Sequence, residues 1–224
     1  MSYFDELWRI LMRIIEPSYE IVPVDLDALE LIERVARTCY KTEDLIKEDS
    51  AEKFVRMLMN RGHHAMLEFA RIIVRFICDR GVSHELVRHR LCSFAQESTR
   101  FCNYSKNKFG GEITVIRPCF WTEGSAQYKI WEYAMRDAEF AYMALLETGA
   151  KAEEARAVLP NSLATEIVVS ANLREWKHIF KLRTSEFAHP QIRQSLIKLM
   201  YECWSELPVI FEDEVVAYES QKKL

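Results

Sequence analysis

Glycine and proline are scarce, with six of each in 224 residues, which leaves little room for a flexible linker. The chain therefore reads as one domain over residues 21–224 behind an N-terminal helical extension over residues 1–20. Cys39, Cys78, Cys92, Cys102, Cys119 and Cys203 include no C-x-x-C pair. That spacing predicts reduced, buried thiols in a cytoplasmic protein rather than a disulfide framework. No apolar run approaches a membrane span, and Asp5, Glu6, Arg9 and Arg13 interrupt the first residues, so neither a membrane segment nor a signal peptide is expected. G-x-G-x-x-G is missing, which argues against a Rossmann-type dinucleotide site. His63, His64, His84 and His89 form no i,i+4 pair and have no Cys ligand nearby, so no metal is expected. There is no internal repeat and no low-complexity tract.

What is present is an ordinary globular composition, 49% hydrophobic and 12% aromatic, long enough to bury a core without a metal or disulfide staple. A net charge of −4 argues against a general nucleic-acid binder held by phosphate attraction. The local distribution is different. From Arg71 to Arg100 there are six Arg, no Lys and only Asp79, Glu85 and Glu97 as acids. Arg offers a flat fork of donors suited to phosphate or a polar ring edge. A cationic patch within an acidic protein points to a small anionic ligand.

Hydrophobic spacing predicts a helix over 3–15 ended by Pro17, a short strand near Tyr19–Asp25, and a helix capped by Asp25 or Asp27. A helix over 50–60 stops before Gly62, and "LEFARIIVRFICD" reads as a strand broken by Gly81. "VSHELVRHRL" reads as a short helix and "EITVIRP" as a strand. Helices follow over 124–148 and 151–158, then the strand "LATEIVVSA". Asn172 with Glu175 resembles a capping box opening a helix to Arg183, and a last helix over 189–206 is stopped by Pro208. Strands and helices alternate irregularly, so the fold class is α+β, with a mixed or antiparallel sheet packed by helices.

The most informative stretch runs from Arg88 to Arg100. On a helix, consecutive residues 88–90 fan over about 200°, so Arg88 and Arg90 would serve two ligands, or one ligand and a neighbouring subunit. If the chain is extended after Ser93, Gln96, Ser98 and Arg100 share a side and line a nucleotide phosphate and sugar. Judged by charge alone, a solvated basic helix end followed by a polar loop is the simpler reading.

The spacing R-H-R, two residues, Ser, four residues, Ser, one residue, Arg is intact as Arg88, His89, Arg90, Ser93, Ser98 and Arg100. In this it resembles the flavin-dependent thymidylate synthases. The similarity extends from about Leu26 to Phe211 and includes "RGHHAMLEFA", "ARAVLP", "SANLREWKHIFKLR" and "HPQIRQ". The resemblance implies reductive methylation of deoxyuridine monophosphate (dUMP) to dTMP, with methylenetetrahydrofolate as carbon donor and FAD, reduced by NADPH, as hydride source. It also implies a homotetramer with shared active sites, in which flavin is held at subunit contacts.

Laid over this sequence, the resemblance places Arg88, His89, Arg90, Gln96, Asn172, Arg174 and His178 at FAD. It places Glu85, Arg88, Gln96, Glu97, Ser98, Thr99, Arg100, Arg156 and Arg183 around dUMP, with Arg156 reaching it from another subunit. Arg183 would sit at the uracil edge and favour its ionised form, and His63 would lie near the reacting centre where folate is expected. Ser98 is the remaining candidate in the catalytic set. No base is placed by sequence to activate its hydroxyl, so it reads as a ligand contact rather than a nucleophile. Glu85, Gln96, His178 and Ala65 depart from residues common in relatives, and a carboxylate at 85 would repel a nearby phosphate. Cys119 in "RPCFW" looks like the nucleophile of the unrelated folate-dependent synthases but lacks their other features, so it is expected to be structural. The rival readings are a non-enzymatic nucleotide- or RNA-binding module and a flavin reductase with another pyrimidine substrate. The lack of an aromatic-rich ribbon counts against the RNA module.

Overall fold

The computed structural model describes residues 12–23 and 27–222. In chain order the strands and helices are β1 (Arg13–Ile15), β2 (Ser18–Val22), α1 (Ala28–Tyr40), α2 (Ala51–Asn60), β3 (Arg71–Asp79), α3 (Arg80–Leu86) and β4 (Ser93–Gln96). They continue as β5 (Thr114–Ile116), α4 (Ala126–Glu147), α5 (Ala152–Ala155), β6 (Ala164–Asn172), α6 (Leu173–Arg183), α7 (Pro190–Glu206) and α8 (Pro208–Gln221). Short 3-10 turns fill several connections. The α+β class holds. β1 pairs in parallel with β5, and a four-stranded sheet has the order β2-β3-β6-β4. No helix among the described residues is long and apolar enough to cross a membrane.

The chain divides into two compact units. One holds the segment ending at Ser18 together with Phe76–Leu86 and Ala95–Ile167. Its core packs Tyr104, Ile113, Val115, Tyr128, Trp131, Met135, Tyr142 and Leu163. The polar groups this burial strands are answered locally. Trp131 Nε1 donates to Ser162 Oγ at 3.0 Å, and the Ile113 amide donates to the buried Glu139 carboxylate at 2.8 Å.

The other unit holds Tyr19–Arg75, Val87–Phe94 and Val168–Leu224. Here α6 packs on α7 and α8, α7 on α8, and α2 on α1 and α8. Trp176, Phe180 and Phe211 are fully buried, Phe180 lying tilted against Trp176 and meeting Phe211 edge-on, and Trp176 Nε1 donates to the Ile72 carbonyl at 3.1 Å. Rings of this size dominate the apolar burial of a small core. Two buried cations are paired: Arg37 with Glu33, and Lys177 with Glu214 at 2.6 Å.

Several element boundaries differ from expectation; β3 starts at Arg71 rather than Leu67, because Leu67 and Glu68 belong to a 3-10 turn. Residues 13–15 are strand, because their backbone pairs with β5, so the expected N-terminal helix does not reach Ile15; its residues 3–11 lie outside the described residues. Gly81 does not break β3. The Asp79 carboxylate accepts from the Val82 amide at 2.7 Å and caps α3, so the strand turns straight into a helix. A Cβ at Gly81 would meet that carboxylate oxygen at 2.9 Å, which accounts for glycine there. Helix α3 ends at Leu86, so Arg88, His89 and Arg90 lie on turns and the helical fan expected for them does not apply. Strand β4 ends at Gln96. Ser98 then opens a turn in which its carbonyl accepts from the amides of Phe101 and Cys102, so Gln96, Ser98 and Arg100 do not form an extended row. Finally, Pro208 starts α8 instead of ending the chain's helices, as proline can at a first helical position.

Candidate active site

The residues assigned to the nucleotide fall in the first unit, apart from Arg88 and Arg183, which belong to the second. Gln96, at the end of β4, donates through Nε2 to Ser83 Oγ at 2.9 Å and to Thr165 Oγ1 at 3.2 Å. Ser83 donates its own proton to the Arg80 carbonyl at 2.9 Å, so it can only accept from Gln96. That fixes the amide's orientation: the nitrogen faces Ser83 and Thr165, and Oε1 faces away from them. Glutamine suits this place because a carboxylate has no proton to give Ser83.

Glu97 is held at both ends, its amide donating to the Glu166 carbonyl at 2.9 Å and its carboxylate accepting from Tyr104 Oη at 2.9 Å. Ser98 Oγ accepts from the Arg100 amide at 3.3 Å, a turn contact that supplies no base. Thr99 is buried, and its hydroxyl accepts from Arg156 at 3.3 Å within the same chain. Arg100 lies 3.6 Å from Glu153, an exposed pair of small energetic weight. Glu85 sits half-buried on α3.

The residues assigned to flavin fall in the second unit, apart from Gln96. Arg88 and Arg90 are exposed, whereas His89 between them is 5% exposed. Helix α6 begins at the Asn172 cap, whose side-chain oxygen accepts from the Glu175 amide at 2.8 Å. One half of the expected capping box is thus present. Arg174 is exposed and reaches Glu68 at 2.6 Å. His178 lies one turn further on, and its ring meets His89 edge-on at 5.8 Å. Arg183, in the last turn of α6, donates from Nε to His89 Nε2 at 3.0 Å. His63 is exposed and bonds Tyr40 Oη through Nδ1 at 3.0 Å.

Electrostatics follow from this packing. Burial first, then Arg183 and His178, push His89 down to about 4, so it is neutral near pH 7. Burial raises the Glu175 carboxyl, with His178 opposing that shift. Burial also pushes the Cys92 thiol up to about 12, far from a nucleophile's range. Cys119 is likewise raised by burial.

Sequence reading missed Ser83, Thr165, Glu68 and Glu175. Ser83 and Thr165 gave no signal, since their partner is reached only through the fold. Glu175 was noticed as a cap residue alone. His89, Glu175 and His178 bring three ligand-type groups within 4.8 Å of one another, a grouping that sequence spacing did not show.

A family model described as thymidylate synthase complementing protein matches residues 20–209. The chain belongs to this family. Among curated members, the flavin-dependent thymidylate synthase of Corynebacterium glutamicum is 34% identical over 209 residues, covering 84% of this chain and 81% of that protein. The Geobacter sulfurreducens enzyme of the same name is 34% identical over 185 residues, covering 80% and 78%. A UMP/dUMP methylase from Streptomyces cacaoi, solved with 5-Br dUMP, superposes with a TM-score of 0.73 at 23% identity. It covers 92% of this chain and 97% of its own, and that likeness shows a shared fold. The match from residue 20 agrees with a similarity that leaves the first residues outside.

Proposed function

We propose that the chain is a flavin-dependent thymidylate synthase. It methylates dUMP with methylenetetrahydrofolate as carbon donor and FAD, reduced by NADPH, as hydride source. The observation that carries this reading is the Arg183–His89 bond, which ties the end of α6 to the middle of the R-H-R sequence.

The residues present fit a flavin dinucleotide. Exposed Arg88 and Arg90 suit its pyrophosphate, and the Asn172 amide nitrogen and His178 suit polar ring atoms, since Asn172 spends only its oxygen on the helix cap. When bound, reduced flavin supplies the hydride that completes the methyl group. This chain's own residues bind and polarise. Uracil must gain electron density at its methyl-accepting carbon, so a cation at its carbonyl edge stabilises the anion that develops. Arg183 takes that role, held by a neutral histidine that cannot compete with it for negative charge. Gln96, Ser98, Thr99 and Arg100, with Arg156, bind the nucleotide. Ser98 contacts it and forms no covalent bond. His63 lies toward the folate. Chains assemble as a homotetramer, and no nucleic acid or membrane is a partner.

The test is the visible absorbance spectrum of the purified protein before and after adding dUMP. A yellow protein whose flavin band shifts with the nucleotide is expected. A colourless protein that fails to bind added FAD would overturn the reading.

A further inference from the structure

The trio of His89, Glu175 and His178 has the composition of a metal site, but its hydrogen bonding assigns it another task. A metal needs a lone pair from each imidazole. His89 Nε2 already spends its lone pair on the Arg183 Nε–H at 3.0 Å, and the neighbouring guanidinium repels a cation.

The same bond reports the state of His89. Arg Nε–H can only donate, so Nε2 must accept and carries no proton. A neutral imidazole then bears its proton on Nδ1. That atom faces Glu175 Oε1 at 3.6 Å, and both side chains are buried. The separation is longer than a direct hydrogen bond, so the carboxylate acts through its field in a site of low polarity. The opposite tautomer would turn the Nδ1 lone pair toward the carboxylate and set Nε2–H against Arg183 Nε–H, two repulsions at once. The Glu175 backbone is itself fixed by the Asn172 cap, so the carboxylate is presented from a rigid first turn.

We propose that Glu175 is a positioning residue: its carboxylate selects the Nδ1–H tautomer of His89, which keeps Nε2 as the acceptor that holds Arg183 by its Nε edge. The kinetic consequence rests on the role given to Arg183 above, whereas the tautomer does not.

The experiment is 15N NMR of flavin-loaded, histidine-labelled protein near pH 7, with the His89 signals assigned by loss in His89→Gln. Wild type is expected to show His89 protonated at Nδ1 and bare at Nε2. Glu175→Met, which keeps length and removes charge, is expected to give a tautomer mixture and about a tenfold fall in kcat at little-changed KM for dUMP. Glu175→Gln, whose oxygen can accept from Nδ1–H, is expected to restore the tautomer and most of the rate. A wild-type His89 protonated at Nε2, or an unchanged tautomer in folded Glu175→Met, would overturn the proposal; the first needs no variant to fold. A shifted tautomer with unchanged turnover would instead overturn the role of Arg183.

Discussion

His89 couples the site to acid stability. Its folded pKa of about 4 lies below the ordinary 6.5, so between those values the unfolded chain binds more protons than the folded one. Stability is therefore present above pH 6.5 and is lost as pH falls toward about 4. The groups facing it are Arg183 and His178, which favour the neutral ring, and Glu175, which favours the charged one. At 1.36 kcal/mol per pKa unit, the loss is on the order of 3 kcal/mol at most. Glu175 works in the opposite direction, because its raised carboxyl costs stability as pH rises through its own titration. His89→Gln keeps an acceptor for Arg183 and removes the titration. Thermal melts of holoenzyme between pH 7 and 4 should fall more steeply for wild type than for this variant. Parallel curves would refute the assignment. The histidine and its two arginine neighbours were legible in sequence because their spacing is a signature. Glu175 was not, since what it does depends on a side chain brought to it by tertiary packing.

At the scale of elements, α6 carries two of the flavin candidates, Arg174 and His178, and the arginine proposed for the uracil edge, Arg183, so its first turn matters. Asn172 caps the helix with its oxygen, and in the proposed site its amide nitrogen serves flavin, so the two duties are separable. Asn172→Ala should lower stability by about 1 kcal/mol, the ordinary cost of a lost cap, and should reduce flavin content. Asn172→Asp should restore the stability in urea denaturation but not the flavin content, because it retains the accepting oxygen and loses the donor. Recovery of both would leave the cap as the only role. Such caps were readable: Asn172, and Asp27 of the pair considered for α1, do accept the expected amides. Strands β3 and β6 were readable too, from alternating β-branched residues. Boundaries failed where a side chain or distant backbone intervened. Asp79 caps α3 and removes the expected break at Gly81, and β5 recruits residues 13–15 from a helix-like pattern. Helix α3 stops at Leu86, where the chain passes from one compact unit to the other, a change that local periodicity does not encode.

For the whole molecule, surface composition bears on assembly. A single chain leaves Phe187 91%, Phe101 80%, Leu91 71% and Ile130 70% exposed. Scattered apolar residues need no explanation, yet Leu91 and Phe101 lie within or beside the Arg88–Arg100 stretch that the proposed shared sites use. Covering them removes apolar area from water at roughly 25 cal/mol per Å², whereas a net charge of only −4 offers little repulsion against self-association. Both terms favour the proposed homotetramer. Light scattering after gel filtration should give about four times the 26.4 kDa chain mass. Phe101→Glu should reduce that mass and the flavin content together, since a site shared between chains cannot survive their separation. A wild-type monomer at working concentration would remove the basis for shared sites. A smaller assembly of Phe101→Glu that retained its flavin would show that one chain holds the cofactor unaided.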